Sequence, residues 1–322
     1  MMPAHAHGPC EASMAKPRND FLDRLQYAGL RLVSMCLHCW PVNLCQDAAR
    51  LIGTIMFYVD VRHRKRAIGN IKRSFPDMSD ASARRLARES MQQLVMLGVE
   101  TMFTSRLIRI ETVARHIKLT QLGPTLKILL EQKQGVIMLT GHYGAWEVLG
   151  YALATLGFET TSVARPLDNP YINEYVMGVR ERMGQRIIDK KGATAEVVPL
   201  LERKGAVGFI ADQNAGVKGM FVDFFGRKAS TYKSIGLLAM QFRVPIIVGY
   251  ARRKNGRFEF DLGVEDIIWP DDWAQQDDPL RYITQRYTKA IEDFTRADPG
   301  QYLWVHRRWK TRPKGEAPEQ FD

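Results

Sequence analysis

Cysteine is scarce in this chain of 322 residues: there are four, Cys10, Cys36, Cys39 and Cys45, and none follows residue 45. That excludes a disulfide framework through the body of the protein and suits a reducing compartment. Cys36 and Cys39 form a CxxC in CLHCW, but only Cys45 and His38 stand nearby. The second pair that a zinc site needs is missing. These thiols read as buried or lipid-facing groups on an apolar helix, and no metal is expected. Long apolar runs are also missing. The longest uncharged stretch, Leu32 to Gln46, has 15 residues and contains Pro41; the next, Leu51 to Val59, has nine. A clean membrane span wants about 20. No secretory signal is expected, because the apolar stretch lies late and lacks a small-residue cleavage pattern. There is no internal repeat and no low-complexity tract. Acidic residues are outnumbered, 35 to 46, which leaves a net charge of +11. A surplus of that size favours an anionic partner, whether nucleic acid, membrane surface or acidic ligand.

What remains is an ordinary folding composition, long enough for one large α/β domain and an extension. Residues 1–20 lack periodicity and read as a disordered tail. Residues 21–66 are an apolar helical segment, either a membrane anchor or an interfacial one, ending in the basic cluster RHRKR at 62–66. Near anionic lipid each such Lys or Arg contributes about 1 kcal/mol. The alternative is a pair of amphipathic helices packed on the domain with a solvated basic turn. Residues 67–313 form the main domain and 314–322 a tail. Within it, a turn at Phe75-Pro76-Asp77 precedes a long helix carrying Leu86, Leu94, Leu97 and Met102 as its apolar stripe. From residue 135 strand and helix signals alternate. Strands are expected at 135–140, 158–164, 206–211, 245–251 and 257–262. Helices are expected at 144–156, 171–184, 194–203, 231–242 and 279–296, the last with Ile283, Tyr287, Ile291 and Phe294 on one face. This pattern predicts an α/β fold, a sheet flanked by helices, preceded by the N-terminal helical membrane-associated segment.

The chemistry concentrates where strands end, since the sites of open α/β sheets lie outside the carboxyl ends of their strands. The apolar run GVIMLT leads into GHYGAWEVLG, residues 141–150. His142 stands there as a candidate base, with Glu147 five residues on to hold it. The spacing by itself proves little, because seven His and 35 acidic residues produce such a pair close to once by chance. Further polar clusters stand at strand ends: Arg165 to Pro170, then Asp212, Gln213 and Asn214, then Phe224, Phe225, Gly226 and Arg227. Convergence of such clusters is the usual form of a ligand site, although Asp212 is also suited to capping a turn and Arg165 to a surface ion pair. Near the end, Arg307, Arg308, Lys310, Arg312 and Lys314 interleave with Trp304 and Trp309. That pattern suits nucleic acid, phosphorylated lipid at a membrane surface, or a plain strand with a basic tail.

Taken in order, these blocks resemble the lipid A biosynthesis acyltransferases (lauroyl and myristoyl transferases) of the lysophospholipid acyltransferase superfamily. The resemblance rests on IGNIKRSFP, GHYGAWE as a His-x4-Glu block, ARPLDNP, the Arg of VRERMG, ADQN with FFGR, and YLWVHRRWKTRP, over about residues 50–313. It implies a glycerol-3-phosphate acyltransferase-like sheet. It also implies a peripheral or single-span anchor at the cytoplasmic face of the inner membrane. The implied reaction moves an acyl chain from an acyl carrier protein thioester, or acyl coenzyme A, to a hydroxyl of an anionic membrane glycolipid such as a lipid A precursor. The acyl thioester is then a co-substrate and no cofactor is required. His142 is expected to take the hydroxyl proton, with Glu147 fixing its tautomer. Backbone N–H groups after Gly141, and Arg180, would serve the oxyanion. Arg165, Asp212, Gln213, Gly226, Arg307 and Arg308, with Lys233, are candidates for substrate binding. Pro41, Asp47 and Arg50 depart from the family's anchor pattern. Two rival classes are a thioester or ester hydrolase built on the same His/Glu pair, and a nucleic-acid-binding module on the basic C-terminus; with the transferase, no nucleic-acid partner is expected.

Overall fold

In the computed structural model, which describes residues 19–120, 122–131, 133–181, 185–190 and 192–316, Pro41 turns the apolar N-terminal stretch into two helices. α1 spans Asp20–His38 and is capped by Asn19, whose side chain accepts from the Leu22 N–H. α2 spans Val42–Val59 and starts directly after Pro41, where a proline costs a helix nothing. The basic cluster lies in α3, Val61–Ser74, capped by Asp60. After the predicted turn comes α4, Asp80–Leu107, capped by Ser79. The expected tails at 1–20 and 314–322, and Cys10, fall almost wholly outside the described residues.

α1 is inverted relative to a globular helix. Its one buried residue is Ser34, at 4% exposure, while Phe21 is 74% exposed and Leu25, Leu32 and Met35 also face outward. α2 likewise exposes Leu44, Leu51, Ile55 and Val59 but buries Cys45, Ala49, Gly53 and Phe57 against the body. Gly53 is needed at the crossing with α4, because a Cβ there would lie 2.4 Å from the Gln92 Cα. Among the described residues no helix is long and apolar enough to cross a membrane, which sets aside the single-span alternative for them. Cys36 and Cys39 are exposed and Cys45 is buried. The stripe on α4 differs from expectation at Leu94, which is exposed; Ala87, Met91 and Phe103 join Leu86 and Leu97 on the buried face instead.

The remainder is α5 (Val113–His116), β1 (Ile117–Thr120), α6 (Gly123–Glu131), β2 (Val136–Thr140), α7 (Trp146–Thr155), β3 (Thr160–Ala164), α8 (Pro170–Glu181), β4 (Arg186–Asp189) and α9 (Ala193–Glu202). Then follow β5 (Ala206–Ile210), β6 (Met220–Phe224), β7 (Arg227–Thr231), α10 (Ser234–Phe242), β8 (Ile246–Arg253), β9 (Phe260–Ile268), α11 (Pro270–Trp273) and α12 (Pro279–Ala297). A seven-stranded sheet runs β1-β9-β8-β2-β5-β3-β4. The five strands from β8 to β4 are parallel, and β9 reverses the direction. Parallel strands joined by helices need both faces covered, which is why their sequences are near-continuous apolar runs. α12 buries Ile283, Tyr287, Ile291 and Phe294 in the main core, as its spacing predicts. β6 and β7 form a separate two-stranded ribbon.

Candidate active site

β2 and β5 are neighbours in parallel register, with Thr140 opposite Ile210. Two residues beyond each of those ends stand His142 and Asp212. The equal offset puts them side by side: His142 Nδ1 lies 2.7 Å from Asp212 Oδ1, and the His142 backbone N–H donates to Oδ2 at 2.9 Å. Both side chains are buried, the carboxylate to 1% exposure. Burial alone would raise the Asp212 carboxyl. The charge and hydrogen bonds of His142 outweigh it and hold the group well below the usual carboxylate range. With Nδ1–H donating to Asp212, the opposite nitrogen carries a lone pair. The Gln213 carboxamide nitrogen sits 3.3 Å from that Nε2.

Glu147 is not the partner of His142. The block GHYGA is an irregular turn, and the helix begins only at Trp146, so a five-residue spacing does not bring the two together. Glu147 instead accepts from Arg180 of α8 through both oxygens, at 2.9 and 2.7 Å. The expected backbone donors after Gly141 are mostly taken: the N–H groups of His142, Tyr143, Gly144 and Ala145 bond to Asp212, Gly141, Gln301 and Ala251. Ala145, the N-cap of α7, offers no side-chain cap, and the Val148 N–H is taken by Ala145 O, so in the first turn the amides of Trp146 and Glu147 are the candidates. Gly144 has φ +58°, and a Cβ there would lie 2.0 Å from the Ala251 carbonyl oxygen, so only glycine fits.

The C-terminal block lines the same place. Residues 301–303 run antiparallel to 142–144: Gly144 N–H donates to Gln301 O at 3.0 Å and Leu303 N–H to His142 O at 2.9 Å. Asn70 of the IGNIKRSFP block anchors that strand by donating to Trp304 O and His306 O, and Ser90 Oγ donates to Tyr302 O. The His306 ring packs against His142 with centroids 4.3 Å apart, and Trp146 lies 5.0 Å from it. Burial first, then the charge of His142, pushes the His306 imidazole down to about 4.

Other expected site residues lie elsewhere. Arg308 is 1% exposed and donates to Gln213 O, Ser230 O and Thr231 Oγ1. It is a buried clamp between the end of β5 and β7 rather than a substrate ligand, and burial lowers its pKa. Gly226 is the exposed left-handed corner of the two-residue β6–β7 turn, at φ +69° beside Phe225 at +54°; its role is in the backbone. Arg165 is exposed and paired with Asp168, and Lys233 is exposed at the start of α10. Arg307 is half-buried on the C-terminal block. Trp304 and Trp309 are buried and Arg312 donates to Lys228 O and Glu316. The alternation of aromatic and basic residues therefore serves packing and does not present a stacking surface for nucleic acid.

Between α7 and the sheet, next to Trp146, lies an apolar cavity of about 100 Å³. Thr140, Trp146, Glu147 and Arg180 stand at its upper end; Met138, Leu153, Thr160, Gly208 and Ile187 lie further in. An apolar slot with a few polar groups converging at one end is built for a ligand with an apolar tail and a polar reacting head.

Comparison with known proteins identifies relatives along most of the chain. Residues 16–311 match the family described as bacterial lipid A biosynthesis acyltransferase. The chain is similar to a lipid A biosynthesis acyltransferase of Haemophilus influenzae, 24% identical with 88% of this chain and 90% of that protein covered. It is similar to the lipid A biosynthesis lauroyltransferase of Escherichia coli, 26% identical over 82% and 84%. It is also 27% identical to the palmitoleoyltransferase of lipid A biosynthesis from Escherichia coli, over 77% and 79%.

Proposed function

Because the chain belongs to the bacterial lipid A biosynthesis acyltransferase family and is an O-acyltransferase, we propose that it transfers a fatty acyl chain from an acyl carrier protein thioester to a hydroxyl of a lipid A precursor, with His142 as general base and Asp212 as its orienting carboxylate. One observation carries the reading: a buried His–Asp pair packs on Trp146, which lines one end of an apolar cavity.

A sugar or hydroxyacyl hydroxyl is a poor nucleophile at neutral pH, so it needs a base within hydrogen-bond reach. His142 Nε2 takes the hydroxyl proton as the oxygen attacks the thioester carbonyl. Asp212 holds the tautomer that leaves Nε2 free and stabilises the imidazolium that forms. The carbonyl oxygen becomes an oxyanion, facing the first-turn amides of α7 and the positive charge of Arg180, which Glu147 fixes in place. The tetrahedral centre collapses, the carbon–sulfur bond breaks, and the imidazolium returns its proton to the departing thiolate. The ester and the free carrier thiol are the products, and His142 is neutral again. The acyl chain lies in the cavity under α7.

The outward-facing apolar residues of α1 and α2, next to the Arg and Lys residues of α3, support peripheral attachment to an anionic bilayer at the inner membrane. Such attachment would bring the protein to a membrane-embedded acceptor without a spanning helix. The test is mass spectrometry of a reaction containing the purified protein, acyl carrier protein donors and a tetra-acylated lipid A precursor in mixed micelles. The expected product is heavier by one acyl chain and absent with His142→Ala. Release of free fatty acid alone, dependent on His142, would replace the reading with a hydrolase.

A further inference from the structure

A buried ion pair that the proposed chemistry does not use lies between α4 and the end of β8. Arg253 Nε donates to both oxygens of Glu100, at 2.7 and 2.9 Å, and its Nη1 donates to Gln93 Oε1 at 2.7 Å. Gln46 of α2 donates to the same carboxylate at 3.1 Å. Desolvation offsets much of the attraction in such a pair, and its best use is to fix one arrangement. Here it fixes Arg253, the last residue of β8.

Arg253 in turn holds Gln301, which is also buried. The Gln301 carboxamide bonds to both main-chain groups of Arg253: Oε1 accepts from its N–H at 2.9 Å and Nε2 donates to its carbonyl oxygen at 3.1 Å. Nε2 also donates to Asp298 at 2.6 Å. A side chain thus stands where the peptide group of a neighbouring strand would. The main-chain oxygen of Gln301 accepts from the Gly144 N–H at 3.0 Å, and its Oε1 lies 3.3 Å from where a Cβ of Gly144 would stand. The direct pairing of β2 with β8 ends at Leu139 opposite Val248. Past that point the turn carrying His142 is joined to β8 by Ala145 N–H to Ala251 O, by Arg252 Nε to Tyr143 Oη, and through Gln301.

We infer that Gln301 is a positioning residue for the base. Its carboxamide, locked on the Arg253 main chain, sets where the turn at 142–145 lies and so how the His142 ring meets Asp212. The inference rests on the reading of His142 as the base. Without the carboxamide the His–Asp pair is chemically complete but its seat is loose, and a misplacement of about 1 Å costs such chemistry about 10²-fold.

The test variant is Gln301→Met, which keeps the length of the side chain and loses its bonds. Single-turnover transfer at saturating donor, the Michaelis constants for donor and glycolipid, and the proton resonance of His142 Nδ1–H are measured on the full-length protein. That resonance is assigned by its absence in His142→Ala. The rate should fall by about 10–10²-fold well below the melting temperature, the Michaelis constants should hardly change, and the Nδ1–H signal should move. Gln301→Asn, too short to reach both groups of Arg253, should act in the same direction and keeps the test open should Gln301→Met fail to fold. A folded variant that melts lower but has a normal rate and an unmoved signal overturns the inference and leaves Gln301 a structural residue. A slower rate with raised Michaelis constants and an unmoved signal overturns it too, by placing the residue in substrate binding. A moved signal, in a protein whose wild type gives no glycolipid product, upholds the positioning and removes the proposed acceptor.

Discussion

Replacing Asp212 with Asn should cost the transfer reaction about 10³–10⁴-fold, and the structure shows where that figure comes from. Asp212 receives two hydrogen bonds from one residue, from the His142 ring at 2.7 Å and from its backbone N–H at 2.9 Å. Charge-assisted bonds of this kind are worth about 1.5–3 kcal/mol each. A loss of rate of that size represents roughly 4–5.5 kcal/mol, more than the ring's bond alone supplies; the rest comes from the misplaced proton. An asparagine can still accept from the backbone N–H. Its amide then presents NH₂ to the ring, so Nδ1 must become the acceptor and Nε2 carries the proton. A protonated Nε2 cannot take a proton from the attacking hydroxyl. The assay is single-turnover transfer at saturating donor, with circular dichroism and thermal denaturation confirming that the variant is folded. Asp212→Asn combined with His142→Ala should be no slower than His142→Ala alone, since the carboxylate acts through the ring. A folded Asp212→Asn protein retaining more than about a tenth of the normal rate would refute the pairing as the basis of catalysis.

Other predictions test neighbouring parts. His142→Ala should lower the rate by at least about 10²-fold without changing the melting temperature greatly; near-normal turnover would remove its assigned role. Glu147→Gln and Arg180→Ala should be strongly non-additive in a double-mutant cycle of transfer rates, coupling by about 1–3 kcal/mol, whereas independent effects would separate the two. His306 is held down to about 4 in the folded protein against an ordinary 6.5. Between those values the unfolded chain binds more protons, so stability falls as pH drops through the window, by about 3 kcal/mol from this group. Urea unfolding of the wild type and of His306→Asn at neutral and acidic pH should show a shallower loss in the variant; parallel curves would count against it. Gly144→Ala should destabilise by more than about 3 kcal/mol, from the strained φ and the collision with the Ala251 carbonyl together, read by denaturant midpoint. Changing Phe21, Leu25 and Leu32 to Ser should weaken sedimentation with anionic vesicles by at least about 10²-fold, given about 1.5–3 kcal/mol for each side chain transferred fully from water.

Four strands and five helices of the sheet region stand close to where alternation and periodicity put them, because each is a continuous apolar run or a 3.6-residue stripe; the fifth strand, expected at 257–262, starts three residues later and runs on to Ile268. β1 and β4 have only four residues apiece, IKLT and RIID, too short for a period to register. The β6–β7 turn places Phe225 at positive φ, where turn chemistry looks for Asn or Asp, so its hairpin gave no signal. The site divides along the same line. His142 is legible because a strand visibly ends before it. Its partner is not, since Asp212 becomes a neighbour only through the pairing of β2 with β5, a fact of strand order that no local spacing contains. Glu147 looked suitable for the opposite reason: it is close along the chain, yet the turn at residues 141–145 separates it from the ring. His306 stood in a basic-aromatic run whose character pointed outward, and nothing in that composition reveals that both tryptophans face the core. Asn70 belonged to a recognisable block but had no role until the C-terminal strand was seen beside it.

The antiparallel bridge of residues 301–303 against 142–144 has a consequence for the order of events during synthesis. The base is aligned by a segment that leaves the ribosome about 160 residues after it, and that segment is itself held by Asn70 and Ser90. Contacts so distant along the chain form slowly. The outward-facing apolar helices, by contrast, are complete within the first 59 residues, and α4, on which α2 packs, ends at Leu107. A growing polypeptide therefore has its lipid-seeking part long before its reactive one, and a chain interrupted before residue 301 carries His142 without the backbone that seats it.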